Sequence, residues 1–278
     1  MTLIGSHHGA GSLAAADAQP NAGQRLLGGT GRRLFTAVAD AGRLTLFHLA
    51  STARLFRRPF RWRAILLQVE FMGARSLGVV ALSAIFTGLV LALQGYSVLV
   101  RFGSENLVGS LVALSLTREL APVLTALMVT ARAGSATAAT IGNMAVTEQI
   151  DALRALAVDP LRYLVVPRFL AAVLVLPLLT AMFSLAGIAA AYLFGVSVLG
   201  LDGLAFMSNV RSSVQSRDVS VGIWKAVVFG AVIAWIATYR GYRTLGGAIG
   251  VGLATSRTVV ESAVLILGGD YVMTALLF

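Results

Sequence analysis

Cysteine is absent from this 278-residue chain, which excludes disulfides, thiolate metal ligands and a cysteine nucleophile. Histidine is scarce, and two of the three, His7 and His8, stand in a Gly/Ala/Ser-rich N-terminal tail, so no histidine metal site is expected. Charge is thin as well. Asp, Glu, Lys and Arg make up 12% of the chain, about half the roughly 25% of a soluble domain. Motifs that carry chemistry are also missing: there is no P-loop, no GxSxG and no HExxH. No catalytic set, metal or cofactor is expected, and any work must draw on a partner or an ion gradient. What fills the chain instead is apolar: 57% of residues are hydrophobic and the mean hydropathy is +0.83, as in a polytopic membrane protein.

The expected fold is an all-α membrane protein with an N-terminal interfacial helix and five transmembrane helices. Residues 1–31 lack periodicity and read as a disordered tail. No apolar core follows the first charges, so no secretory signal is expected. Residues 32–62 mix Leu34, Phe35, Val38, Leu44, Phe47 and Phe56 with several arginines. That stretch is too polar to span and suits an amphipathic helix lying on a membrane or packed on a partner. The five-span domain occupies 63–278, with apolar stretches near Ile65–Val100, Leu107–Ile141, Leu161–Val198, Val219–Tyr239 and Ala248–Phe278. Each suffices for a bilayer, which takes about 20 helical residues. Asp202 to Ser220 reads as a loop holding a short helix.

The formal charge of +10 invites a nucleic-acid reading, but its distribution opposes one. Ten of the 22 basic residues lie between Arg25 and Arg75. With Arg154, Arg162, Arg168, Arg240, Arg243 and Arg257 they collect on one side of the expected spans, against Arg101, Arg211 and Arg217 on the other. The positive-inside bias then places the N-terminus in the cytoplasm and the C-terminus outside. No nucleic-acid partner is expected.

Leu116 to Pro160 is the most informative stretch. Arg118 and Glu119 stand inside an apolar span, where a charge costs at least about 2.5 kcal/mol near the centre. Sequence neighbours point about 100° apart on a helix, so the two need not pair with each other. They either line a lipid-headgroup cavity or bridge to other spans. Leu91, Gly95, Val98, Leu99 and Phe102 recur at helical spacing, as the lining of an acyl-chain pocket or as ordinary packing. Gly134, Ala138 and Gly142 fall four apart, as do Gly246, Gly250, Ala254, Thr258 and Ser262, spacings that let helices approach closely within one chain or across a homodimer. Arg257 and Glu261 have ion-pair spacing, and Arg132, Lys225 and Asp270 are further ionisable groups in or beside spans, for stabilising pairs or a proton relay. Between spans two and three, Glu148, Gln149, Asp151 and Arg154 punctuate an apolar face of Ile150, Leu153 and Leu156. This is a short helix ended by Asp159-Pro160. It either docks in a groove of a cytoplasmic subunit or lies on the membrane as a connector.

Several blocks occur in the order of one family: LALQGY (Leu91–Tyr96), LVALSLTRELAPVLTALMVTARAGSA (Leu111–Ala136), IGNMAVTEQIDAL (Ile141–Leu153), AVDPLRYLVVPRFLA (Ala157–Ala171), LPLLT (Leu176–Thr180) and TSRTVVESAVLILGGDYVMTALLF (Thr255–Phe278). Together they resemble the MlaE/YrbE permeases, membrane subunits of ABC transporters that work with MCE proteins. The resemblance covers roughly residues 60–278. It implies a homodimer in the bacterial inner membrane, a cytoplasmic ABC ATPase with a STAS-domain protein beneath it, a hexameric periplasmic MCE ring above it, and phospholipid as substrate in maintaining outer-membrane lipid asymmetry. It also implies that Glu148, Gln149, Asp151 and Arg154 lie on the helix that couples to the ATPase. Arg118 and Glu119 match the family's charged element beside the lipid cavity. The long N-terminal tail departs from the family pattern. An ion-coupled secondary transporter is the alternative; it predicts inverted repeats, into which five spans do not divide.

Overall fold

The computed structural model describes residues 42–49, 51–54 and 61–277. The expected tail, 1–31, lies outside the described residues, as does much of the expected interfacial segment. The chain divides into two compact units, Met1–Leu46 and Phe47–Phe278. In the first, residues 42–46 are helical. The second holds further helical residues at 47–49 and 51–54 and all the elements that follow. Every element among the described residues is helical.

Among the described residues, five helices are long and apolar enough to cross a membrane: α1 (Trp62–Phe102), α2 (Glu105–Val146), α4 (Leu161–Ser197), α6 (Ser216–Tyr242) and α7 (Gly247–Leu277). Two short helices lie between them, α3 (Gln149–Ala155) after α2 and α5 (Gly203–Ser213) after α4. The five expected spans are present. The expected loop Asp202–Ser220 is shorter than its sequence suggested, because α6 already begins at Ser216. Gln215 and Asp218 form a reciprocal capping box there, which satisfies the first free N–H groups of the helix. At α5, the Asp202 carboxylate accepts from the Leu204 N–H at 2.9 Å.

Close backbone approach holds the bundle together. A methyl group on Gly88 of α1 would sit 2.1 Å from the Gly187 carbonyl oxygen of α4, and one on Gly222 of α6 would sit 2.3 Å from the Thr117 oxygen of α2. Lipid supplies little hydrophobic drive for helices to associate, so packing at such contacts carries much of the stability. The spaced small residues of α2 work in the same way. Gly134 lies against Ile233, Ala138 against Gly241, and Gly142 against Thr244, all on or just past α6. The core around them is built from Phe183, Phe229, Leu116, Leu176 and Ile233, and Phe206 of α5 seals one end against Tyr192.

The stripe on α7 divides. Ala254, Thr258 and Ser262 are buried within the chain, which gives them the intramolecular role. Gly246 is in the turn before α7 with φ +86°. Gly250 has a local reason to be small: a Cβ there would meet the Leu245 carbonyl of the same turn at 1.8 Å. On the opposite face of α7, Ile249, Leu253, Val260, Val264 and Tyr271 point outward.

Four π-helical turns interrupt the spans among the described residues: Glu70–Ala74, Leu116–Leu120, Thr130–Gly134 and Leu161–Val165. Such turns are rare, occur mostly singly within α-helices, and gather at functional sites. Two of the four lie in α2, and they hold Arg118, Glu119 and Arg132.

Candidate substrate site and coupling helix

Arg118 and Glu119 do not pair with each other; they reach different helices. The Arg118 guanidinium binds the Asp218 carboxylate at 2.8 Å. Asp218 also accepts from the Gln215 N–H at 2.9 Å, so one carboxylate caps α6 and neutralises α2. The positive end of the α6 dipole favours a negative charge at that place. Glu119 accepts from the Lys225 ammonium of α6 at 2.5 Å. Lys225 also donates to Thr274 Oγ1 of α7 at 2.7 Å and lies 2.9 Å from Asp270 of the same helix.

Pro122 explains a fourth contact. It has no N–H, so it cannot close the ordinary helical bond to the carbonyl four residues back, that of Arg118. That oxygen accepts from Lys225 Nζ at 3.1 Å. The proline and the π-turn thus open α2 where a cation from α6 enters.

The cluster is sealed on one side and open on the other. The Lys225 side chain is 0% exposed and that of Asp218 2%, whereas Arg118 and Glu119 are 36% and 35% exposed. An ion pair can recover its desolvation cost only when most of its polar atoms are bonded, and the sealed members meet that condition. The open members keep part of their charged surface exposed. Beside Thr117, a largely apolar hollow of about 330 Å³ lies between α4, α5 and α6, with Leu185, Ile188, Val214 and Ile223 among its walls. Charged face and apolar hollow together suit an amphiphile.

The expected acyl face on α1 is split. Leu91 and Leu99 pack against the core and Gly95 lies against Leu111 and Val108 of α2, but Val98 and Phe102 are exposed at 54% and 75%. Arg132, the other cation of α2, donates to the Phe71 carbonyl and to Ser76 of α1. The spacing-based pair Arg257–Glu261 does not form. Glu261 instead binds Arg240 of α6 at 2.7 Å, because inter-helix geometry outranks spacing along one helix.

The short helix between the second and third spans is present as α3. Glu148 precedes it with φ +58°, an unusual conformation for a residue with a side chain, and turns the chain sharply out of α2. Ile150 is buried with Ile141 and Leu164, and Leu153 packs beside them. Leu156, expected on the same face, ends the helix and is 73% exposed. Glu148, Gln149, Asp151 and Arg154 all face outward. Arg154 is braced by Asp151 at 2.6 Å and by the Tyr242 hydroxyl at 2.8 Å. Past α3, Asp159 pairs with Arg54. Burial alone would raise its carboxyl, but the hydrogen bond and charge of Arg54, with the N–H groups of Leu161 and Arg162, outweigh burial and hold it below the usual carboxylate range.

Asp218 and Thr274 were not singled out by sequence reasoning. The capping box Gln215–Asp218 was the available signal for the first, and the i, i+4 spacing of Asp270 and Thr274 for the second.

The family model for Permease MlaE matches residues 65–276, a range that includes every member of the ionic cluster and all of α3. The chain belongs to the MlaE permease family. It is 42% identical over 248 residues to a "Probable ABC transporter permease protein" of Rickettsia felis, covering 89% of this chain and 96% of the relative. It is 45% identical over 212 residues to the "Intermembrane phospholipid transport system permease protein MlaE" of Haemophilus influenzae, covering 76% and 81%. A plant relative, "Protein TRIGALACTOSYLDIACYLGLYCEROL 1, chloroplastic" of Arabidopsis thaliana, is 38% identical over 225 residues, covering 81% of this chain and 64% of its own length. This MlaE-family permease is therefore a multi-pass transmembrane subunit of an ABC transporter and not itself an enzyme; ATP hydrolysis belongs to a partner subunit.

Proposed function

We propose that this permease moves phospholipids between the bacterial inner membrane and a periplasmic MCE protein, and so maintains outer-membrane lipid asymmetry. The observation that carries the reading is the one-sided exposure of the Arg118–Glu119 pair. Two opposite charges, fixed from behind by Asp218 and Lys225, offer partners to a zwitterionic or anionic headgroup. The apolar hollow beside Thr117 offers room for acyl chain. Identity to the Haemophilus phospholipid permease over most of its length supports the substrate class. Leu91, Val98, Leu99 and Phe102 extend the apolar lining, with the outward Val98 and Phe102 completed by a second copy of the chain.

In this reading the N-terminus is cytoplasmic and the C-terminus periplasmic, as the excess of arginine at the α3 end favours. Two permeases form a homodimer. Two ABC ATPases, each with a STAS-domain protein, lie beneath them, and a hexameric MCE ring lies above. The helix α3 seats on the ATPase: its apolar side is anchored by Ile150, its polar side is free, and Glu148, Gln149, Asp151 and Arg154 make the contact. A chain without a nucleotide site needs such a mechanical handle.

Replacement of Asp151 with Arg tests the handle. Asp151 is exposed and, among the described residues, pairs within α3, so the permease should fold normally, while recovery of the ATPase on co-purification and ATP-driven transfer of a fluorescent phospholipid between vesicles both fall at least about tenfold. Full recovery of the ATPase with normal transfer would reject the contact. Wild-type complex that hydrolyses ATP but moves no phospholipid in either direction would reject the substrate.

A further inference from the structure

The Arg118–Lys225 cluster is not the permease's one arrangement suited to a lipid. At the α3 end of the bundle, a hollow of about 620 Å³ lies between the start of α1, the last turns of α2 and the start of α4. Arg61, Arg63 and Arg168 line it, and no acidic residue does.

Arg168 is the unusual member. Its residue is only 9% exposed, and its guanidinium donates to the Leu164 carbonyl of its own helix at 2.7 Å. No carboxylate pairs with it among the described residues. The contrast with other arginines is direct: Arg118 has Asp218, Arg240 has Glu261, and Arg54 has Asp159. A buried, uncompensated guanidinium costs several kcal/mol. A chain that keeps one beside a cavity has a use for an anion there. Asp159 borders an adjoining hollow that shares Arg61 and Tyr163 with this one, and is held by Arg54.

The surroundings define the anion. Arg61 lies over the Tyr163 ring, 3.9 Å from its centroid, which sets its position while leaving its N–H groups to donate. Trp62 is 67% exposed and Tyr163 is 38% exposed, the type of aromatic pair that marks the bilayer interface, where lipid phosphates lie. Leu67, Met144, Leu164 and Pro167 give the hollow apolar wall as well. Guanidinium groups bind phosphate oxygens through paired N–H donors, and basic pockets between membrane helices take anionic headgroups.

We propose that this hollow is a second site, separate from the Arg118–Lys225 cluster, which holds the phosphate of a glycerophospholipid from the leaflet on the α3 side, with Arg168 as the inner ligand and Arg61 and Arg63 at the rim. The shared chemistry is phosphate recognition, and the lipid is its source in preference to free phosphate. The site needs only that the spans lie in a bilayer; it does not depend on what is transported.

The test uses the full-length permease, delipidated in detergent and then given phosphatidylglycerol, diacylglycerol or inorganic phosphate, with thermal stability and native mass spectrometry as readouts. Phosphatidylglycerol should raise the melting temperature and remain bound, while diacylglycerol and inorganic phosphate do neither. The Arg168→Met variant should melt no lower than wild type without lipid, since it removes an uncompensated charge, and should retain phosphatidylglycerol at least about tenfold less well. The double variant Arg61→Gln/Arg63→Gln, whose changes lie at the exposed rim, should weaken retention in the same direction. The fold-loss in retention caused by Arg168→Met should be the same in an Arg118→Gln background as in the wild type, which separates the site from the proposed transport cavity. Stabilisation by inorganic phosphate equal to that by lipid would overturn the lipid source. Undiminished lipid retention in Arg168→Met and in the rim variant would overturn the site.

Discussion

Replacing Lys225 with methionine removes the one cation that α6 contributes to the ionic cluster while keeping most of the side-chain volume. Four oxygens lose the ammonium at once: those of Glu119 and Asp270, Thr274 Oγ1, and the Arg118 carbonyl that Pro122 leaves free, while the Thr274 hydroxyl still donates to Glu119. Breaking a buried ion pair by deleting one member costs about 3–5 kcal/mol, because the remaining charge stays buried without compensation. Glu119 is 35% exposed and regains some water, so about 3 kcal/mol is the expected loss, roughly two powers of ten in the folded-to-unfolded ratio. On the scale of domains of this size that is about 6–12 °C in melting temperature, read by intrinsic fluorescence on the purified permease. Stranded carboxylates cause the loss, so neutralising them should restore it. The triple variant Lys225→Met/Glu119→Gln/Asp270→Asn should recover most of the stability, since an ion cluster replaced as a whole is often close to neutral. Lys225→Met melting within about 1 °C of wild type, or a triple variant no better than the single one, would refute this account of what holds α2, α6 and α7 together.

Two other outcomes follow from the packing. Gly88→Ala forces a methyl against the Gly187 carbonyl oxygen at 2.1 Å and should cost about 1–3 kcal/mol, whereas Gly78→Ala, with nothing within 4 Å, should be neutral; equal melting temperatures would show that the α1–α4 crossing is looser than drawn. His48 stacks on Trp235 with ring centroids 4.6 Å apart, and burial lowers its imidazole to about 4. Its reference value is about 6.5, so the undocked state binds the proton first. The packing of this segment is fully present above about pH 6.5 and weakens as pH falls toward 4. Hydrogen exchange at residues 51–54, corrected for intrinsic rate, should accelerate over that window in wild type and not in His48→Phe.

The spans, the short helix between the second and third of them, and the family were all legible in the sequence. Each rests on something local. A run of apolar residues long enough for a bilayer needs no tertiary knowledge to be recognised, nor does a charged amphipathic stretch stopped by Asp159-Pro160, nor blocks of text in a fixed order. The cost of charge in a membrane likewise marks Arg118 and Glu119 from sequence alone.

What remained open were the partners of those charges, because side chains a hundred residues apart meet only once helices have crossed. Arg118 found Asp218 at the capped start of α6, and Glu119 found Lys225 and the Asp270–Thr274 face of α7. Glu261 turned to Arg240 across the bundle and left its i−4 neighbour Arg257 aside. Leu156 left the apolar face of α3 because the helix stops there, and Arg168 was revealed as a buried cation beside a cavity only when α1 and α4 were seen together. Hydrophobicity and periodicity are properties of a segment and can be read along it. Which charge neutralises which, and which stays unmatched, depends on distances between segments that the packing of glycines such as Gly88, Gly187 and Gly222 sets.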